Sequence, residues 1–327
     1  MKKEFLKIFV VALFLICATV ACNKNVTGVI LEPATLALAI DETATLTATV
    51  QPANATNTAV IWTSSNIEIA AVSDGTVTAK AAGTATITVT TQDGGFKAEC
   101  VVSVIQTETG IVINGVKWAT RNLASHGKFV EKPEDYGALF QWGRKGDGHE
   151  QRTSPNYPTN DNSQEAGVVS GAGLDANGQI VSTHAAFGKF IKQNEPPYDW
   201  CSPQNDLLWN SGTETAPIKT ANDPCPAGWR VPTHAELQSL IDSGSEWDEL
   251  NGVSGRYFGD GANKLFLPAA GSRGHRTGEV LGSGEYGSYW SSTVGGIYAH
   301  HLNFFSGVVG VSYAYRAHGL SVRCVAE

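Results

Sequence analysis

The sequence predicts a multidomain chain, an all-β sandwich followed by an α+β domain. Three observations carry this. Apolar residues and threonines alternate strictly over residues 43–50 and 84–90, that alternation disappears after Gly110, and one strong helix-start signal stands at Thr233.

The chain opens with Lys2, Lys3 and Lys7 and then runs through apolar residues from Ile8 to Ala21. Basic residues before a short apolar run are the layout of a secretory signal. The run falls well short of the roughly 20 residues a membrane-spanning helix needs. Thr19, Val20 and Ala21 lead into Cys22. The segment resembles a bacterial lipobox, with Thr19 where that pattern has Leu. The resemblance implies cleavage after residue 21 and acylation of Cys22. Residues 1–21 are then a signal peptide and 22–27 a tether. No other segment could span a bilayer, so the rest of the chain is expected outside it.

The 327 residues carry a formal charge of −8. Residues 1–21 hold three Lys and one Glu, so residues 22–327 carry −10. A net acidic chain without a Lys/Arg stripe argues against a nucleic-acid partner. The length suffices for two domains with cores of their own. With 35 Gly, 8 Trp and a single Met, the composition suits a loop-rich β protein anchored by aromatics. Beyond Cys17 and Cys22, four cysteines remain: Cys100, Cys201, Cys225 and Cys324. In an oxidising compartment these allow three full pairings, and spacing does not choose among them.

Residues 28–105 read as the sandwich. Threonine occupies every odd position from Thr43 to Thr49, with apolar residues between, and the same period returns from Thr84 to Thr90. Period 2 puts Leu46, Ala48, Val50, Ile87 and Val89 on an inner face. Asp74-Gly75, flanked by Val72-Ser73 and Thr76-Val77, signals a two-residue hairpin. The strands are expected to pair antiparallel, with Trp62 filling the core. Cys100 is in phase with Ala98, Val102 and Val104, which marks it as a buried thiol. Gly28-Val-Ile-Leu-Glu-Pro33, Val60-Ile-Trp-Thr-Ser-Ser-Asn66 and Gly75-Thr-Val-Thr-Ala-Lys-Ala-Ala-Gly-Thr-Ala-Thr-Ile87 resemble the group 2 bacterial immunoglobulin-like domain. Such domains usually act as spacers in surface adhesins.

Residues 106–110 form a polar linker, and 111–327 the second domain. Thr233 and Glu236 have capping-box spacing, Leu237, Leu240 and Ile241 share a helical face, and Ser243-Gly244 ends the helix. Strands are expected at Ser288–Thr293, around His301–Phe305, and over Leu320–Val325. Gly115-Val-Lys-Trp-Ala-Thr-Arg-Asn-Leu123, Tyr136-Gly-Ala-Leu-Phe-Gln-Trp-Gly-Arg144, Tyr198-Asp-Trp-Cys201, Asp223-Pro-Cys-Pro-Ala-Gly-Trp-Arg-Val-Pro-Thr233, Tyr289-Trp-Ser-Ser-Thr293 and Ser321-Val-Arg-Cys324 resemble the major paralogous domain of Fibrobacter succinogenes. That family is grouped with C-type-lectin-like folds and occurs on envelope proteins, often of the Bacteroidetes. The resemblance implies a C-type-lectin-like fold with a disulfide between Cys225 and Cys324.

Little in the sequence points to catalysis. His300 and His301 are adjacent, so on a strand they face opposite ways and do not share a metal. There is no HExxH or CxxC, and Gly252-Val-Ser-Gly-Arg256 only partly matches the nucleophile elbow. The loop from Gly143 to Val181 carries Asp147, Asp161, Asn162, Asp175 and Asn177, oxygen ligands suited to Ca²⁺. It lacks the EF-hand pattern, and the lectin-type Trp-Asn-Asp triplet is replaced by Trp290-Ser-Ser292. Metal ligands are therefore not assigned, and Ca²⁺ is kept only as an alternative cofactor. Trp142, Trp209 and Trp290, with Asp206 and Arg273, form the candidate ligand-binding set, because an indole face suits the apolar side of a pyranose.

These readings converge on a non-enzymatic, lipid-anchored envelope protein. Its lectin-like head would be presented on an immunoglobulin-like spacer to a glycan or protein ligand. The alternatives are a structural or tip subunit of a surface fibre, and an enzyme related to formylglycine-generating lectin-fold proteins, which needs a reactive cysteine. Asn23-Lys-Asn25 lacks an acidic run, so the anchored chain is expected at the outer membrane facing either the surface or the periplasm.

Overall fold

A computed structural model describes residues 24–81, 83–105, 108–158, 167–261 and 263–327. The segment expected to be a signal peptide, Cys22, Asp161 and Asn162 lie outside the described residues. The chain divides into two compact units, Met1–Thr107 and Glu108–Glu327. Among the described residues no helix is long and apolar enough to cross a membrane.

In the first unit the alternating segments form nine strands: β1 (Gly28–Glu32), β2 (Thr35–Ala39), β3 (Thr43–Thr45), β4 (Thr47–Gln51), β5 (Val60–Ser64), β6 (Ala70–Ser73), β7 (Thr76–Ala79), β8 (Gly83–Thr91) and β9 (Lys97–Ile105). One sheet has the order β2-β9-β8-β5; β3-β7-β6 and the β1-β4 pair complete the sandwich. Ile87, Val89, Cys100 and Val102 are fully buried while the threonines between them stay at least partly exposed, as period 2 requires. Trp62 is half-buried against this core. Asp74 and Gly75 take φ of +47° and +80°, the two left-handed positions of a type I′ hairpin turn. A Cβ on Gly75 would lie 2.7 Å from the Leu46 carbonyl oxygen, so only glycine fits there.

One expectation fails here. β2 runs parallel to β9, with Leu36 opposite Val102, so the sandwich is not wholly antiparallel. The cause is a change of sheet at Pro33-Ala34. β1 pairs with β4, and the chain then continues in the same direction onto the free edge of β9.

The second unit is mostly β and loop, with one nine-residue helix. Its first hairpin, β10 (Ile111–Ile113) and β11 (Val116–Trp118), turns at Asn114-Gly115. Glu108, read as linker, belongs to this unit: its buried carboxylate accepts from Thr120 Oγ1 at 2.9 Å and Arg121 Nε at 3.0 Å. Further along come β12 (Trp229–Arg230), α1 (His234–Asp242), a meander of β13 (Ser245–Leu250), β14 (Val253–Phe258) and β15 (Leu265–Pro268), and a second meander of β16 (Gly287–Gly295), β17 (Tyr298–Phe304) and β18 (Val309–Tyr315). The last strand, β19 (Val325–Ala326), inserts between β11 and β12.

α1 begins as expected. Thr233 and Glu236 form a complete capping box, and Leu237 and Leu240 are buried. The helix packs across β16, β17 and β18. The disulfide joins Cys225 and Cys324, 99 residues apart, just before β12 and β19. Cys100 and Cys201 are free and buried. The single strand expected over Leu320–Val325 is instead two short ones, Gly319–Leu320 and β19. Between them the carbonyls of Ser321, Val322 and Cys324 accept from Trp290, Leu123 and Ala119, each in a different segment. Arg323 is buried there, donating to Asn122 Oδ1 and the Ala119 carbonyl.

Tryptophans organise the loop-built half of this unit. Trp142, Trp200, Trp209 and Trp290 are fully buried, and each indole N–H donates to a backbone carbonyl, of Ser291 in β16, Trp142, Arg144 and Phe140 respectively. Loops have no ladder to satisfy their backbone, and an indole supplies both apolar area and one donor.

Candidate functional site

The candidate ligand-binding face grows out of β17 and β18. Their register sets Phe304 opposite Val309, Leu302 opposite Val311, His300 opposite Tyr313 and Tyr298 opposite Tyr315. All eight share one face of the hairpin, by the two-residue period. Phe304 and Leu302 are buried in the core containing Leu237 and Leu240. His234, the first residue of α1, stacks on His300 at 4.4 Å and 18°. Beyond that contact Tyr313 is 61% exposed, and Tyr298, His300 and Tyr315 are partly exposed. An inward-facing strand face thus becomes a surface face where the helix ends.

The exposed rings form an unbroken band. From His300 the path runs to Tyr313 at 4.5 Å, to Tyr298 at 6.3 Å and to Tyr315 at 4.9 Å. Tyr198 lies 4.2 Å from Tyr315, and His275 lies 5.6 Å from Tyr198 and 4.5 Å from His318. Tyr198 has φ +58°, a left-handed conformation a bulky residue rarely adopts. Holding it there costs on the order of 1–3 kcal/mol, and such strain clusters at functional sites.

Burial holds the His300 and His275 imidazoles below their usual range, and it lowers His318 to about 3. The Tyr315 phenol, donating to Tyr298, is held above its usual range by that bond. Glu214, beside His300, caps α1 by accepting from Ala235 N at 3.0 Å and from the Thr293 hydroxyl. Arg276 is exposed near His275 and Tyr315, and Glu195 is exposed three residues before Tyr198.

Buried His301 and His318 give acid a handle on stability. Folded, they resist protonation down to about pH 4 and about pH 3, whereas an unfolded imidazole binds a proton near about pH 6.5. Acid therefore favours unfolding across the window from about pH 6.5 down to about 4. Asp199 and Asp223 act oppositely: burial raises them to about 6 and about 7, so the folded state gains protons first. The histidine contribution is read by difference. Urea unfolding of wild type and His318→Gln is expected to show a smaller stability gap at about pH 4.5 than at about pH 7. An equal gap at both would remove His318 from the account.

The expected ligand set fares differently. Trp142, Trp209 and Trp290 are 0% exposed, so their ring faces are covered by protein and do not meet a sugar. Arg273 is also buried. It donates to Gln151 O, Ser154 Oγ and O, Asn156 Oδ1 and Gly278 O, and lies over the Phe190 ring at 4.3 Å, which leaves it nothing for a ligand. Asp206 is 60% exposed at its side chain and pairs with Arg316 at 2.6 Å. Arg316 also donates to the Gly296 carbonyl, in the turn just before Tyr298, so Asp206 borders the band. The band itself was missed, although Tyr298-x-His300 and Tyr313-x-Tyr315 repeat with period 2 in neighbouring strands.

Asp147, His149 and Glu150 gather within metal-ligand distance. Their lone pairs are already committed. The Gln141 N–H donates to His149 Nε2 at 3.2 Å, so Nδ1 carries the proton and donates to Asp147 Oδ1 at 2.7 Å. Asp147 Oδ2 accepts from Arg144 at 2.6 Å, and Glu150 Oε2 from Gly148 N at 2.9 Å. Burial alone would raise the Asp147 carboxyl; Arg144 and His149 hold it well below the usual carboxylate range. The cluster's counter-charge is Arg144. Asp175 accepts from Asn177 N and Gln179 N in a turn of its own and does not belong to that cluster.

Residues 25–102 match the bacterial Ig-like domain (group 2) family, which places the first unit in that class of module. Within this stretch the chain is similar to an Ig-like virion protein of Serratia phage KSP90, 48% identical over 81 residues, covering 24% of this chain and 31% of that protein. It is also similar to an alpha-L-arabinofuranosidase of Bifidobacterium longum subsp. longum, 51% identical over 80 residues, 24% of this chain and 7% of that protein. The chain thus spans less than a third of either relative. Domains 4 and 5 of the S-layer protein SbsC align at 25% identity over 24% of this chain and 52% of theirs, with a TM-score of 0.21.

Proposed function

We propose that this chain is a non-enzymatic cell-envelope protein that binds a glycan along the Tyr/His band of its second unit. In this reading that unit has a C-type-lectin-like fold, the Ig-like unit is a spacer, and acylated Cys22 is the membrane anchor. The observation that carries it is the unbroken run of partly exposed rings from His234 to Tyr198, beginning where α1 ceases to cover β17 and β18. Aromatic faces take the apolar side of a pyranose, while phenol and imidazole edges hydrogen-bond its hydroxyls. Burial disfavours charge on the His300 imidazole, which suits an uncharged ligand. Each buried acyl CH₂ contributes about 0.8 kcal/mol, so two or more chains hold a protein in a bilayer. Cys201 weighs against the formylglycine-type alternative. It is 2% exposed, and burial, with Asp199 beside it, raises its thiol far above the reactive range.

The test uses the full chain, extracted in detergent from bacteria fed radiolabelled palmitate. Label in the wild type and none in Cys22→Ala is expected. On a glycan array the wild type binds at least one saccharide, and Tyr313→Ala loses about tenfold or more in affinity, for roughly 1.4 kcal/mol of stacking. Capture of a protein ligand with no saccharide bound would overturn the glycan reading.

A further inference from the structure

The band's length carries a statement about ligand size. Six rings, from His234 through His300, Tyr313, Tyr298 and Tyr315 to Tyr198, follow one another with neighbouring centroids 4.2–6.3 Å apart, and buried His275 backs the last of them. A pyranose has about the footprint of one phenol ring, so a single sugar covers a small part of this surface. The central rings belong to antiparallel partners, so the face is a flat ribbon across two strands. Tyr313, near its middle, is also its most open ring, at 61% exposure. The two ends differ: one has Glu214 tied to the start of α1, and the other has exposed Arg276.

We infer that the ligand is a linear oligosaccharide of several residues, lying along the band from the His234 end to the Tyr198 end and gripped mid-chain rather than by a terminal sugar. This rests on the glycan reading above. An extended chain suits the geometry because each additional residue meets a further ring. A terminal sugar needs an enclosing wall, whereas this band is an open row of rings with its most exposed member, Tyr313, near the middle.

The experiment titrates the full chain with cello-, chito-, malto- and manno-oligosaccharide ladders of one to six residues, by calorimetry. In at least one ladder, affinity is expected to rise tenfold or more between one and three residues and to go on rising toward six. His234→Ala and Tyr198→Ala, at opposite ends, are each expected to weaken the hexasaccharide severalfold. Their unfolding curves establish that they fold, and the wild-type length series needs no variant. A monosaccharide that binds as tightly as its hexamer overturns this inference and leaves the glycan reading standing. No binding in any ladder overturns both.

Discussion

Removing the Cys225–Cys324 bridge is expected to lower the stability of the second unit by about 5 kcal/mol. The bond links residues 99 apart, and in the chain-entropy model a loop of that size restricts the unfolded chain by roughly that amount. Folded-state losses add little if both sulfurs go together, so Cys225→Ala/Cys324→Ala is the clean variant. Lys219 already gathers the surrounding loop, donating to the Cys225, Pro226 and Trp229 carbonyls, so its shape does not depend on the bond alone. Tryptophan fluorescence reports this unit selectively, because seven of the eight tryptophans lie in it. Urea midpoints that coincide for the double variant and the wild type would remove the bridge from the account. Cys201→Ala is the control, since that thiol is unpaired.

Trp142→Ala is expected to cost about 3–5 kcal/mol, through lost burial and the cavity left behind. Its ring lies 5.5 Å from Trp209 and 4.9 Å from the Arg316 guanidinium, and its N–H satisfies the Ser291 carbonyl at 2.9 Å. Tyr313→Ala, by contrast, alters a surface ring and should change stability by about 0.5 kcal/mol or less. The two substitutions thus separate core from proposed ligand face: one is expected to destabilise the unit, and the other, on the glycan reading, to weaken binding in a folded protein. A stable, correctly folded Trp142→Ala that lost only glycan binding would reverse this assignment.

What could be read ahead of the structure follows from how local each signal is. Thr43–Val50 and Thr84–Thr90 alternate because each strand has one buried face, and burial confirms them residue by residue. Asp74-Gly75 and the Thr233/Glu236 box are turn and cap chemistry contained within a few residues. The parallel β2–β9 pair was not legible, because a change of sheet at Pro33-Ala34 depends on which edge is free elsewhere. Nor was the role of the tryptophans. An indole can stack on a sugar or satisfy a loop carbonyl, and only tertiary placement chooses. The Tyr/His band shows the same limit. Tyr298, His300, Leu302 and Phe304 keep one period, yet two are covered and two are open. Where the covering helix stops is a property of the assembled unit.

The position of β19 has a consequence for how this unit folds. Val325–Ala326 lies between Val116–Trp118 and Trp229–Arg230, pairing with both. The sheet therefore closes only when segments far apart in sequence meet, and each such loop must be closed before its pairing is rewarded. That favours all-or-none assembly of this sheet over growth from one hairpin.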